Sequence, residues 1–218
     1  MKTGNLSLFG DANPPPALPK GVFLRPKLAS TAMQHGLLTA VRELAKDAPF
    51  QHPRTRGGGM TSAAMTNAGD AGWWSDARGY RYVTTQPGSG RPWPPMPAVF
   101  HEIVRQAVEG SPWPSFCPDA CLINFYAPGA KMGLHQDRDE KDFDQPIVTI
   151  SLGDAADWLI GGPARNDKTT AFIVESGDAL LMGPPGRLLF HGVRKIHAGT
   201  SPLPDLQGRI SLTFRKAL

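Results

Sequence analysis

Two histidines and an aspartate raise the first chemical question in this chain. His135-Gln136-Asp137 sets an imidazole and a carboxylate two residues apart, so in an extended segment both point to one side while Gln136 turns away between them. Such a pair offers one nitrogen and one oxygen to a single metal ion. A further imidazole would complete the two-His, one-carboxylate set of non-haem Fe(II) oxygenases, which leaves coordination positions open. The pair alone is weak, since six His and 14 Asp in 218 residues give about 0.4 such spacings by chance. His191 is the best-placed third member. His35 and His101 fall in helical patterns and His52 and His197 in polar loops, whereas His191 closes the apolar strand Leu188-Leu189-Phe190 ahead of Gly192. A core-edge histidine bonded to backbone is the competing reading of His191.

The last strand carries a second chemistry. In Arg209-Ile210-Ser211-Leu212-Thr213-Phe214-Arg215 the alternation puts Arg209, Ser211, Thr213 and Arg215 on one face and three apolar residues on the other. Six residues of rise span about 20 Å, and two inward-bent guanidinium arms leave a gap near the length of a small dicarboxylate. Asn124 and Tyr126, which share a face of an earlier strand with Leu122, add an amide and a phenol. A solvated edge strand with two surface arginines is the alternative. Between Gly72 and Tyr82 the sequence Gly-Trp-Trp-Ser-Asp-Ala-Arg-Gly-Tyr-Arg-Tyr interleaves rings with cations, a mixture that suits nucleic acid, though a hairpin folded over the core would also use it.

These groups need a scaffold to hold them. Residues 1–20, with Pro14-Pro15-Pro16, read as an extended arm, and 21–218 as one domain. Gly21 to Leu28 fits a short strand. From Thr31 to Asp47 the residues Met33, Leu37, Leu38, Val41, Leu44 and Ala45 recur at helical spacing behind a Ser30 or Thr31 cap. Residues 49–97, with Gly57-Gly58-Gly59 and a proline cluster, read as irregular hairpins and loops. A second helix opens at Pro97 and carries Phe100, Ile103, Val104, Ala107 and Val108 to a stop at Gly110. Beyond it, 120–127, 146–152, 157–161, 169–175, 178–182, 187–193 and 209–215 alternate as short strands. Seven strands after two helices predict an α+β, mainly β, sandwich or jelly roll with helices on one side.

Composition narrows the classes further. Gly 24 and Pro 22 argue against a helical bundle, and no apolar run approaches a membrane span or a signal peptide. We expect a monomer of the cytoplasm without membrane contact. Cys117 and Cys121, about 13 Å apart if on one strand, are too distant for a disulfide and read as small core residues. The net charge of +4 is uneven: residues 1–109 hold 12 Lys and Arg against seven Asp and Glu, and residues 110–218 hold 11 against 12. A basic half of this kind can meet a phosphate backbone, and an uninvolved solvated surface is as compatible with it.

Taken as a combination, Asn124-Phe125-Tyr126-Ala127-Pro128-Gly129, His135-Gln136-Asp137-Arg138-Asp139-Glu140, His191-Gly192 and the terminal Arg209-x5-Arg215 resemble the AlkB family of Fe(II)/2-oxoglutarate-dependent nucleic-acid dealkylases. The likeness runs from about Met65 to Arg215 and includes Ala64-Met65-Thr66-Asn67 and Gly72-Trp73. Bacterial members often carry Asn two residues after the first arginine, where this chain has Ser211. The resemblance implies a double-stranded β-helix with N-terminal helices and a nucleotide-recognition lid, taken as 49–97. It implies Fe(II) on His135, Asp137 and His191, with O2 and 2-oxoglutarate as co-substrates. The keto acid end of 2-oxoglutarate is expected near Arg215, and its far carboxylate on Arg209, Asn124 and Tyr126 with Ser211 beside it. Trp73 and Tyr80 take the lid's base-contacting positions, with Met65, Tyr82, Lys131 and Arg165 along the substrate surface and Trp74, Arg78 and Arg81 nearby. Asp139, an alternate residue beyond Asp137, is expected to face the base, where a fixed carboxylate favours a cationic N-alkylated ring over the neutral repaired one.

The activity so implied is oxidative removal of small alkyl groups from bases such as 1-methyladenine and 3-methylcytosine, in single- or double-stranded DNA, with RNA left open. Two other readings stay in play. One keeps the metal and co-substrate but acts on a protein or small molecule, and the other is a non-enzymatic jelly roll that binds single strands.

Overall fold

The computed structural model describes residues 17–55 and 57–218, so most of the expected N-terminal arm, residues 1–16, lies outside the described residues. Its framework is two antiparallel sheets. The larger has the order β1-β10-β7-β12-β5-β2, formed by Val22–Arg25, Ala179–Met182, Ile147–Gly153, Arg209–Arg215, Ala120–Tyr126 and Ala64–Gly69. The smaller has the order β6-β11-β8-β9, formed by Met132–His135, His191–His197, Ala155–Ile160 and Thr170–Val174. Gly72–Asp76 (β3) and Gly79–Val83 (β4) make a separate hairpin. The expected mainly β jelly roll with two helices is the architecture observed.

Each face of the larger sheet has its own core. Helix α1 (Thr31–Asp47) starts where Ser30 Oγ accepts the Met33 amide at 3.2 Å, and it buries Leu37, Leu38, Val41 and Leu44. Helix α2 (Ala98–Val108) buries Phe100, Ile103, Val104, Ala107 and Val108. Both pack on the apolar face of β12 and its neighbours, with Phe100 edge-on to Phe214 at 5.6 Å. Each such fully buried side chain contributes about 1.5–3 kcal/mol of transfer free energy. The register Arg209↔Tyr126, Ser211↔Asn124 and Thr213↔Leu122 puts the opposite, polar face of β12 beside that of β5. That second face meets the smaller sheet through Met65, Leu122, Tyr126, Ile147, Trp158, Ile160 and Met182.

Several local readings need correction. The strand expected at 187–193 begins instead at His191, because the amides of Leu189 and Phe190 bond to Gly186 and Gly162 carbonyls in a turn, and β11 then runs on to His197. His197 is therefore on a strand, with Nε2 2.8 Å from Asp157 Oδ1. Met132–His135, read as loop, is strand β6 because β11 supplies its partner, His191 opposite His135. Ala64–Gly69, read within an irregular stretch, is the edge strand β2, a case of tertiary pairing overriding weak strand propensity. Cys121 is buried as expected, but Cys117 is exposed in the turn before β5, and both thiols are free. Among the described residues no helix is long and apolar enough to cross a membrane.

Candidate active site

Strand pairing brings the three metal-binding candidates together. His135 ends β6, His191 opens β11 opposite it, and Asp137 follows two residues after His135. Gly192 makes the approach possible, because a Cβ there would sit 2.7 Å from the Met132 carbonyl oxygen. Gln136, expected to point away, donates from Nε2 to the Leu188 carbonyl at 2.6 Å, tying the segment before His191 to the His-x-Asp loop, and still borders the cavity. One ligand atom from each of His135, Asp137 and His191 lies within 4.8 Å of the others. His135 Nε2 is 3.6 Å from Asp137 Oδ1, and His191 Nε2 is 3.8 Å from Asp137 Oδ2.

The surroundings orient these ligands. His135 Nδ1 is 2.9 Å from the Gly133 carbonyl and His191 Nδ1 is 3.0 Å from the Leu189 carbonyl, so in the tautomer that donates there each Nε2 lone pair is free to face the cluster. Burial and then the neighbouring His135 push His191 down to about 4, so it is neutral at pH 7, the form that binds a metal. Burial would raise the Asp137 carboxyl, but Arg215 and the two imidazoles outweigh it and hold the group well below the usual carboxylate range. Trp158 stacks on the His191 ring at 5.1 Å and fixes its plane. Two imidazoles and a carboxylate, oriented this way at the edge of a cavity, fit a divalent iron with open positions.

The two arginines fit an anion. Arg209 is 1% exposed and Arg215 5% exposed, yet among the described residues Arg209 Nε and Nη1 and Arg215 Nη1 have no hydrogen-bond partner, and neither has Asn124 Oδ1. Unpaired buried donors on charged groups are costly, and their coincidence on one sheet face is what a dicarboxylate would relieve. Arg209 Nη2 donates to Ser151 Oγ at 2.8 Å and its guanidinium lies 5.5 Å from the Tyr126 ring centre. Arg215 donates to Asp137 Oδ2 from Nη2 at 2.7 Å and from Nε at 3.2 Å. Ser211 Oγ, 3.5 Å from Thr213 Oγ1, lies between the two arginines on β12.

A cavity of about 210 Å³ opens over the metal-binding cluster and Arg215, while Arg209 lies outside its wall. His135, Asp137, His191, Asn124, Tyr126, Ser211 and Arg215 are in its wall, together with Met65, Trp73, Tyr80 and Asp139. Trp73 and Tyr80 stack on each other at 5.5 Å, and Trp73 Nε1 donates to Asp139 Oδ2 at 2.8 Å. Asn67 clamps the Trp73 backbone by accepting its amide and donating to its carbonyl. Three residues expected on the substrate surface lie outside the cavity wall. Tyr82 turns its hydroxyl onto Glu140 at 2.6 Å, a direction set by that buried carboxylate. Arg165 lies outside the cavity wall, over the Phe190 ring with Nη1 donating to the Leu134 carbonyl, and Lys131 is exposed. Sequence reasoning missed Trp158, the Thr55 and Thr61 walls, Met132 and Met182, and the ion pair of Glu140 with Arg187 at 2.9 Å. Only Glu140 had a signal, its place in the His135–Glu140 string.

Comparison with known proteins agrees with this geometry. The sequence matches the family described as the 2OG-Fe(II) oxygenase superfamily over residues 21–215, and the chain belongs to that superfamily. It is therefore an Fe(II)- and 2-oxoglutarate-dependent dioxygenase that takes O2 as its oxidant. The "Alpha-ketoglutarate-dependent dioxygenase AlkB" of Escherichia coli (strain K12) is 42% identical over 214 residues, 97% of this chain and 98% of that protein. The "DNA N(6)-methyladenine demethylase ALKBH1C" of Arabidopsis thaliana is 38% identical, over 62% of this chain but only 35% of that longer protein. A solved structure described as that of OsALKBH1 superposes with a TM-score of 0.80 at 33% identity, covering 92% of this chain and all of that one.

Proposed function

We propose that this enzyme oxidatively removes N-linked alkyl groups from damaged bases in nucleic acid. The observation that carries the reading is the stacked Trp73–Tyr80 pair in the wall of the same cavity as the His135–Asp137–His191 cluster. A flat aromatic surface over an oxidising centre suits a base turned out of its stack, and base–aromatic stacking is worth about 1–3 kcal/mol. Relatives whose names describe demethylation of DNA support the same class of substrate.

His135 Nε2, Asp137 and His191 Nε2 would hold the iron, and Arg209, Arg215, Asn124 and Tyr126 the 2-oxoglutarate. With O2 these supply a two-electron oxidation of the N-alkyl carbon, 2-oxoglutarate leaving as succinate and CO2, and the hydroxyalkyl product then releases an aldehyde and the restored base. The chain's own residues do the rest. Arg215 keeps Asp137 ionised as a ligand, and Trp158 and the Leu189 carbonyl keep His191 in place. Met65, Leu122, Ile147 and Val193 keep water from the reacting carbon. Asp139 supplies a negative charge toward an alkylated ring that is cationic until repair. Lys131 and Arg165, exposed outside the cavity, are suited to flanking phosphates.

Single-stranded DNA is the substrate this arrangement accepts without an unstacking cost of a few kcal/mol, with duplex DNA and RNA as further substrates of the same chemistry. Two free thiols suit the reducing cytoplasm. The test is mass spectrometry of a mixed panel of alkylated DNA and RNA oligonucleotides incubated with enzyme, Fe(II), 2-oxoglutarate and O2. Loss of the alkyl mass with stoichiometric aldehyde release is the expected result. Succinate formation that no oligonucleotide stimulates, with none of them altered, would move the target to a protein or small molecule.

A further inference from the structure

Glu140 is a buried carboxylate at which four segments meet, and it lies outside the metal-binding set. Its Oε1 accepts from Tyr82 of the β3–β4 hairpin at 2.6 Å and lies 3.4 Å from Arg215 Nε of β12. Its Oε2 accepts from Arg187, in the turn before His191, at 2.9 Å. Arg187 also donates from Nη1 to the backbone carbonyl of Asp137 at 2.7 Å and from Nε to the Gln145 carbonyl. Glu140, Arg187 and Arg215 are each at most 6% exposed. With Asp137 they form a buried cluster of two anions and two cations, a kind of network that holds only when every member is oriented by the others.

Within this cluster one buried donor has no partner among the described residues. Arg215 uses Nε and Nη2 on Asp137, while Nη1 is buried and unbonded. The direction in which Nη1 points is fixed by what holds the other edge of the guanidinium, namely Asp137 and Glu140. Glu140 in turn is held on one side by Arg187 and on the other by the Tyr82 hydroxyl. Tyr82 is the direct cross-strand partner of Trp73, which bonds to the neighbouring carboxylate, Asp139. A matched pair on the hairpin thus meets a matched pair of acids on the metal loop. Burial raises the Tyr82 phenol far above its usual range, so it remains a donor at every working pH.

We propose that Tyr82 and Glu140 are a positioning pair for the co-substrate: through them the hairpin that carries Trp73 sets the guanidinium of Arg215 whose Nη1 receives the 2-oxoglutarate carboxylate. Neither residue touches the reacting atoms. The inference rests on the co-substrate, which the superfamily supplies, and stands whether the oxidised target is nucleic acid or something else.

The test needs no nucleic acid. Anaerobic Fe(II) enzyme is titrated with 2-oxoglutarate, following the metal-to-keto-acid charge-transfer absorbance, for wild type, Tyr82→Phe, Glu140→Gln and the double variant, with thermal unfolding measured in parallel. Tyr82→Phe should weaken 2-oxoglutarate about fivefold and shift the absorbance band, and Glu140→Gln should weaken it more, about twentyfold. The double variant should bind no more weakly than Glu140→Gln alone, because Tyr82 acts only through Glu140. A Tyr82→Phe enzyme with unchanged affinity and band overturns the proposal even if its melting temperature falls, since that is a purely structural role. Effects that multiply in the double variant overturn it as well. If Glu140→Gln does not fold, Tyr82→Phe, which deletes one hydroxyl, decides the matter alone.

Discussion

Arg215 and Tyr80 border the same cavity, but one is 5% exposed on an inner strand of a six-stranded sheet and the other 47% exposed on a two-stranded hairpin. The floor formed by β5, β12, β6 and β11 has its charges buried and oriented, with Asp137 between two imidazoles and a guanidinium. The hairpin is held to neighbouring segments by Asn67 of β2 on the Trp73 backbone, Trp93 Nε1 on the Val83 carbonyl, Ser75 Oγ on the Arg54 carbonyl, and the Asp139 and Glu140 bonds. Within the hairpin, Asp76 pairs with Arg78 and Arg81. A rigid floor suits a reaction whose metal and co-substrate never change. The hairpin turns the exposed Tyr80 toward a target that must enter and leave, while its inner side is anchored through Ser75 and through Tyr82 on the buried Glu140.

The contrast is most directly broken at the floor. Asp137→Ala should abolish both metal binding, followed by calorimetric titration, and turnover; a variant that keeps either at the wild-type level refutes the assignment. Next in size, Arg209→Lys should weaken 2-oxoglutarate at least tenfold in the same titration, because a single ammonium cannot reproduce the fork of N–H groups left unpaired around Tyr126 and Ser151. An unchanged affinity would mean the far carboxylate binds elsewhere.

Within the lid, Trp73 is expected to act on the substrate alone, in contrast to Tyr82, which bonds Glu140 on the co-substrate side. Trp73→Ala should lower base repair about tenfold, in line with a stacking contribution of about 1–3 kcal/mol, while oxoglutarate turnover without substrate stays at the wild-type rate. Equal loss in both assays would mean that Trp73 also acts on the co-substrate. The smallest effect sharpens the comparison most. Asp139→Asn keeps an oxygen for the Trp73 indole and loses only charge, so repair of cationic bases should fall a few-fold and repair of neutral adducts should hold. Asp139→Ala removes the acceptor too and should impair both classes. If Asp139→Asn repairs both lesion classes at the wild-type rate while Asp139→Ala impairs both, Asp139 works solely by holding Trp73.

How much of this was legible varied with the kind of interaction. Strand β12 was readable residue by residue, because its period of two comes from a face packed on helices and a face lining a cavity. Helix α1 was equally plain, from the Ser30 cap to the apolar stripe, although Gln34 on its buried face was not anticipated. It is tolerated because its amide donates to the Ala29 carbonyl and accepts from Ser176. Strands β2 and β6 were missed because Ala-Met-Thr-Asn-Ala-Gly and Met-Gly-Leu-His carry little intrinsic preference and become strands through their partners β5 and β11. Tyr82 was assigned to the substrate because a tyrosine beside arginines looks alike whether it faces a base or a buried acid.

The amino-acid order alone thus specified the ligand types, the polar face of the last strand and the aromatic hairpin, since spacing along one element is set by local backbone geometry. Contacts between elements far apart in the chain were decided only by the tertiary structure. His191 meets His135 across 56 residues through one ladder register, and Gly192 allows the backbones to approach. Glu140 joins Tyr82, Arg187 and Arg215 although none is near it in sequence. A buried charge finds whichever partner the packing brings within about 3 Å, and no periodicity in the chain encodes that meeting.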